Sequence, residues 1–284
     1  MNDTATPGRW AKRKWLLFLI LPLIIGIALA FVVPQPIVGV IQLNDAIYTY
    51  SARDLIAQIT YARDHKEVLA VVLVIDSPGG TVSGTESVYM ELTHLRQTKP
   101  VVMMIEGMAA SGGYYLAAGS DYVMANPSSM VGNVGVIGFL PMTPIVIEDI
   151  YSTGPYKMWG FPRDTFVRQM DMIKENFLQV VLLGRGEALK MTPEQLLRGE
   201  IYPGSEALRL GLIDTLGSQS LAVEHAARMA HISNYRVENL RKLAGLPEIV
   251  FFPFFFENPE GVITPYPREH GIYLLYVPPG EKFP

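Results

Sequence analysis

Apolar residues fall along this chain in three rhythms, and each predicts a different kind of element. The first is one uncharged block, WLLFLILPLIIGIALAFVV from Trp15 to Val33. As a helix rising about 1.5 Å per residue it spans about 28 Å, close to the roughly 30 Å of a bilayer's hydrocarbon core. Pro22 is tolerable in such a helix, where neighbours or water satisfy the freed carbonyl. The second rhythm is short continuous apolar runs: IVGVIQL (37–43), LAVVLVID (69–76), PVVMMIEG (100–107), YVMA (122–125) and VGVIG (134–138). Runs of this length and β-branched character predict strands buried on both faces. The third is an amphipathic period between them. In SARDLIAQITYARDHK (51–66), Leu55, Ile56 and Ile59 share one helical face.

Further helices are expected from the SPGG turn to about Gln97, over 165–190, over TPEQLLRG (192–199), around SEALRLG and over SLAVEHAARMA. Thr192 is a good N-cap with Pro193 at the first helical position, and Gly211 is a good C-cap. LIDTLGS reads as a strand and turn. Strand and helix in alternation predict a parallel α/β core with helical layers. Ligands bind such sheets at the carboxyl ends of the strands, where DSPGG and GMAASGG both lie. From about Tyr235 the pattern changes to IVFFPFFF (249–256), a Pro-rich stretch and GIYLLYV (271–277), which reads as an appended arm. IVFFPFFF is too short to span a membrane.

Charge sharpens the topology. The net charge is −4, yet residues 1–14 carry +3 through Arg9, Lys12, Arg13 and Lys14 against Asp3, leaving −7 for the remainder. A basic cluster before an apolar block predicts a cytoplasmic N-terminus, with everything after Pro34 on the extracytoplasmic side. The alternative is a cleaved signal peptide, because ALA at 28–30 resembles a small-residue cleavage site. The apolar run continues through Phe31, Val32 and Val33, which favours a retained single-pass anchor in the cell membrane. An acidic body offers no footprint for nucleic acid. The chain has no Cys, so disulfides, thiol catalysis and thiolate metal sites are excluded. Nothing in it calls for a metal or nucleotide cofactor.

The candidate chemistry centres on Ser111, set among Ala and Gly in EGMAASGGYYLAAGSD (106–121). Two roles are open. Serine is a preferred N-cap for the helix that follows. It is also a nucleophile where a base lies within about 3 Å and donors await the oxyanion. Free amides at the helix start, with Gly112 adding no side chain, could supply one donor. Gly79 or Gly80 of DSPGG could supply the second. Ser77 reads as a turn residue before Pro78. His65, His94, His225 and His231 fall on helix faces or ends and His270 in the arm, so no Ser-His-Asp arrangement is readable.

A lysine is the other possible base. It must be uncharged, which means lowering an ordinary pKa near 10.4 by about three units through apolar burial, roughly 4 kcal/mol. Lys157, in STGPYKMWGF, is the lysine with the most apolar and aromatic local setting. Snorkelling over an aromatic surface or a cation–π contact would explain that setting equally well.

Taken in order, IDSPGGTVSGTESVY, GMAASGGYYLAAGSDYVMANPSSMVGNVGVIG, YSTGPYK and GEIYPGSEALRLGLIDTLGS resemble the signal peptide peptidase A (protease IV) family. The resemblance runs from about Ile37 to Met229. It implies the Clp protease/crotonase superfold, a ββα superhelix, here preceded by one N-terminal transmembrane helix. It further implies a membrane-anchored serine peptidase with a Ser–Lys dyad that degrades released signal peptides, without a cofactor. Carried over, Ser111 is the nucleophile and Lys157 the general base, with Gly79, Gly80 and Gly112 forming the oxyanion hole. Where the family commonly has GSIGV this chain has GNVGV, so Asn133 stands where a lysine-supporting serine is expected. The resemblance also implies a homo-oligomeric ring with peptides as substrates. The expected division is a cytoplasmic segment 1–14, an anchor 15–33, a peptidase domain 37–234 and an arm 235–284. Two rivals stand beside it: a non-catalytic scaffold of the same fold, and crotonase-type acyl-CoA chemistry, for which a tethered extracytoplasmic domain would rarely meet its cofactor.

Overall fold

The computed structural model describes residues 9–32, 35–139, 153–154, 156–157, 160, 162–248, 256–257, 263–264 and 271–276, without the side chains at 9–13, 16, 28–32, 163, 256–257, 263–264 and 271–272. Helix α1 is Arg9–Val32, and the body begins with β1 (Ile37–Leu43), α2 (Thr49–Asp64) and β2 (Val68–Ser77). Then come β3 (Gly79–Thr81), α3 (Val82–Arg96), β4 (Val101–Ala110), α4 (Gly112–Ala118), β5 (Tyr122–Ala125), β6 (Met130–Gly132) and β7 (Ile137–Phe139). The chain continues through α5 (Arg163–Arg185), α6 (Pro193–Leu196), β8 (Ile201–Pro203), α7 (Gly204–Leu210), β9 (Thr215–Leu216) and α8 (Gln219–Met229). It closes with β10 (Arg236–Asn239), α9 (Leu240–Leu243), the paired β11 (Phe256–Glu257) and β12 (Ile263–Thr264), and β13 (Gly271–Leu275).

The main sheet runs β10-β1-β2-β4-β5-β9 with every neighbour parallel. The continuous apolar runs are explained by burial on both faces. Val38, Val40, Val72, Val74, Val102 and Met104 pack under Ala222, Val223 and Ala226 of α8. The alternate residues Ile41, Leu73, Ile75, Met103 and Ile105 face the larger core beneath α2, α3 and α4. The caps read from sequence are present: Thr192 and Gln195 form a reciprocal capping box on α6, and Gly211 ends α7 in the left-handed conformation.

Three local expectations are revised. DSPGG does not turn straight into a helix, because Gly79–Thr81 is a strand, bridged at Gly80 to Ile47 on one side and paired with β13 on the other. The run 134–138 is not one strand. Gly132 and Asn133 both take positive φ (+119° and +57°), so the chain turns there and β6 ends before β7 begins. The sheet also continues past residue 234, since β10 pairs with β1 and Leu240 is fully buried in the core.

Helix α1 presents Trp15, Leu17, Phe18, Leu19 and Leu23 at the surface, Phe18 being 85% exposed. Among the described residues no helix is long and apolar enough to cross a membrane.

Candidate active site

Strand β4 carries the chain directly to Ser111. Up to Ile105 it pairs with β5; from Met108 to Ala110 it pairs with β6. Its register against β2 shifts between Ile75 and Ser77, so the strand bends where it passes Asp76. There is no room for a side chain at the bend: a Cβ on Gly107 would lie 2.4 Å from the Asp76 carboxylate. Burial raises the Asp76 pKa above the ordinary carboxylate value, partly opposed by a hydrogen bond from the Met108 amide.

Ser111 is the corner between β4 and α4. Its backbone stands at φ 50°, ψ −118°, the first-corner geometry of a type II′ turn, which ordinarily selects glycine. The corner is held from both sides. The Ser111 amide donates to the Gly132 carbonyl at 2.9 Å, and the Ser111 carbonyl accepts from the Tyr115 amide at 2.9 Å. Although Ser111 occupies the N-cap position, its side chain makes no capping hydrogen bond. Cap formation therefore does not explain this residue. Residues held in such sparsely populated conformations persist only where the surrounding structure over-determines them, and they cluster at functional sites.

The two glycine turns meet at this corner. A Cβ on Gly112 would come within 3.3 Å of the Gly79 α-carbon and 2.7 Å of the Thr85 hydroxyl. A Cβ on Gly79, whose φ is +99°, would lie 2.7 Å from the Gly112 amide nitrogen. Only backbones without side chains approach this closely. The Gly79 amide donates to the Ser77 hydroxyl at 3.2 Å, so Ser77 braces the turn. Thr85, fully buried in α3, has no hydrogen-bond partner for its hydroxyl among the described residues.

The remaining candidates are placed differently. Lys157 lies in an exposed turn, its amide donating to the Gly154 carbonyl at 3.1 Å, and no hydrogen bond among the described residues joins it to Ser111. Met158, Trp159 and Phe161, from which its apolar setting was inferred, lie outside the described residues. Asn133 is occupied elsewhere: its amide nitrogen Nδ2 donates to the Gly199 carbonyl at 2.7 Å and its backbone amide to Glu200 at 2.8 Å. Asparagine tolerates the left-handed conformation found there, which gives this position a backbone reason for its residue. His65 stacks on Tyr61 and His225 on Tyr122, away from Ser111 as their helix placement implied, while His270 lies outside the described residues.

Sequence reasoning missed one participant. Strand β13, assigned to the arm, is the middle strand of a second, antiparallel sheet, β3-β13-β7. Leu274 stands opposite Gly80, and Tyr273 opposite both Thr81 and Ile137. The continuous apolar run GIYLLYV was the available signal, but no local pattern names the partner of a strand.

Comparison with known proteins fits this geometry. The family model described as peptidase family S49 matches residues 93–233, and that described as Clp protease matches 38–133. A protein of Methanocaldococcus jannaschii, named only as a candidate protease, is 30% identical over 226 residues, 72% of this chain and 72% of its own. The chain belongs to peptidase family S49. Protease 4 of Salmonella typhi is 32% identical over 199 residues, 64% of this chain but 32% of its own length. The chain thus spans about a third of that S49 relative. Among solved structures, the 1510-N membrane-bound stomatin-specific protease, a lysine-to-alanine mutant in complex with a substrate peptide, superposes with a TM-score of 0.50. At 19% identity, covering 69% of this chain and 81% of that one, it bears on fold. The S49 chain has the Clp protease/crotonase-like α/β fold.

Proposed function

We propose that this S49 chain hydrolyses peptide bonds with Ser111 as nucleophile and Lys157 as general base, through an acyl-enzyme. The observation that carries the reading is the Ser111 corner: a strained, non-capping serine at the meeting point of two glycine turns. The Ser111 hydroxyl attacks the scissile carbonyl carbon and gives its proton to the lysine amine. The oxyanion is held between the Gly112 amide and the Gly79–Gly80 turn. The amide bond breaks as the lysine returns the proton to the leaving amine, and water activated by the same amine then releases the acyl group. Because the Gly79 amide already serves Ser77, Gly80 is the better second donor.

Apolar cover is what makes a lysine a base, and Lys157 is exposed in the single chain. The proposal therefore places catalysis in a state where a second copy of the chain covers Lys157 and brings it to Ser111. A ring of such copies would do this. Asn133 then supports the loop bearing Gly199 rather than the lysine.

The uncharged stretch 15–33, preceded by the basic cluster Arg9, Lys12, Arg13 and Lys14 and exposed at Trp15, Leu17, Phe18, Leu19 and Leu23, supports membrane attachment there, with 1–14 cytoplasmic and the body extracytoplasmic. Substrates in that location would be extended apolar peptides, released signal peptides among them. The peptidase body is drawn from 37 through α9, since β10 belongs to the main sheet.

The test is turnover of an apolar peptide by the full chain in detergent. Ser111→Ala and Lys157→Ala should each lower kcat by about 10⁴-fold. The wild-type rate should climb with pH as an amine base loses its proton. Activity surviving in Ser111→Ala refutes the nucleophile. A flat pH profile refutes the lysine.

A further inference from the structure

A nucleophile must be reachable, yet Ser111 is 1% exposed and Ser77 beside it is fully buried. What lies over the neighbouring glycine turns is the chain's own strand β13. It runs antiparallel between β3 and β7, filling the gap between the turn that carries Gly79 and Gly80 and the strand Ile137–Phe139. The Leu274 carbonyl oxygen points at the junction of the two glycine turns. A Cβ on Gly79 would come within 1.9 Å of that oxygen and one on Gly112 within 3.1 Å. An extended backbone with one carbonyl directed between these turns is how a cleavable peptide would have to lie.

The side chains are equally committed. Leu274 is fully buried in the main core, and Tyr273 and Leu275 are 4% and 6% exposed. The Tyr273 ring packs edge-on against Phe139 with centroids 6.0 Å apart. Beyond the strand, the Tyr276 amide donates to the Pro78 carbonyl at 2.7 Å, continuing the pairing along the DSPGG turn.

We infer that Gly271–Leu275 is a built-in occupant of the substrate groove, which holds the enzyme closed and displays the preferred ligand: an extended segment with an aromatic residue followed by two leucines. This rests on the peptidase reading for its consequence, though the occupancy itself is testable without catalysis. A tethered strand competes at an effective concentration in the millimolar range. Against it, a free peptide that binds the open groove at about 10–100 µM has its apparent affinity reduced by about 10–100-fold.

The experiment uses full-length Ser111→Ala protein and a fluorescent peptide of residues 271–277 flanked by lysines for solubility. Tyr273→Pro removes a ladder N–H from a strand paired on both sides, and Leu274→Asp places a charge in the core. Either change should release the strand and tighten peptide binding by about 10-fold or more. A cooperative thermal transition in each variant, or in Tyr273→Pro alone if the aspartate disturbs folding, shows that the body is intact. In chains retaining Ser111, Tyr273→Pro should raise kcat/KM for an apolar peptide by the same factor, through KM. Equal binding in both forms overturns the occupancy. Loss of residues 275–284 from wild type during incubation also overturns it, because the segment is then a substrate and not a plug. If release tightens binding while no Ser111-dependent turnover appears, the peptidase reading fails and the occupancy stands.

Discussion

Replacing Ser111 by glycine should make the protein more stable than replacing it by alanine. Both changes remove the hydroxyl, so the difference between them isolates the backbone. At φ 50° and ψ −118° a residue with a Cβ lies outside the left-handed well in ψ as well as having positive φ. The strain belongs in the upper part of the usual range for such residues, about 2–3 kcal/mol. Glycine relieves it. Against that stand about 0.7 kcal/mol for the greater freedom glycine has in the unfolded chain and about 0.8 kcal/mol for the lost burial of one methyl-sized group. About 1 kcal/mol remains in favour of glycine, which for a body of this size is about 2–4 °C in melting midpoint. The assay is paired thermal and urea unfolding of the two full-length variants in one detergent, where α1 contributes equally. Alanine matching or exceeding glycine would refute the claim that the corner is held under strain. The expected result would show that the chain gives up stability to keep a side chain at this corner.

Two further outcomes follow from other parts of the site's support. Arg185, its side chain 4% exposed, grips Asp214 with bonds of 2.7 and 3.0 Å and donates to the Gly211 carbonyl at 3.0 Å. Arg185→Ala takes the cation from the Asp214 carboxylate, which keeps the Val123 amide at 2.7 Å, and removes the side-chain donor to the Gly211 carbonyl. It should cost about 3 kcal/mol in urea unfolding, the low end for a buried pair because Asp214 is a quarter exposed; a loss under about 1 kcal/mol would contradict it. Asp76, its pKa raised by burial, contributes most to stability below the ordinary carboxylate range, and that contribution is lost as pH rises through its own elevated pKa. Asp76→Asn should accordingly be more stable than wild type at neutral pH, with the gap closing on acidification. A pH-independent difference would show that ionisation is not its cause.

Much of the framework was legible in the residues. Ile37–Leu43 and Tyr122–Ala125 are strands at the bounds their apolar runs predicted, because strands buried on both faces are written as near-continuous apolar runs. The caps at Thr192 and Gly211 were equally local, each depending on a few neighbouring residues. Ser111 was legible as a candidate, though that its side chain makes no cap could be read only from the folded chain.

What the chain's order of residues determined by itself was therefore the set of elements, the family motifs and the position of the serine between strand and helix. Those are properties of short windows, fixed by side-chain period, capping and backbone preference. The tertiary structure alone decided which backbones touch. It brought Gly79 against Gly112 across 33 positions, set β10 beside β1, and laid Leu274 over both glycine turns. Strand partners at such separations are chosen by which edge is left unpaired and which apolar face is left uncovered once the rest has folded, and no local pattern carries that choice.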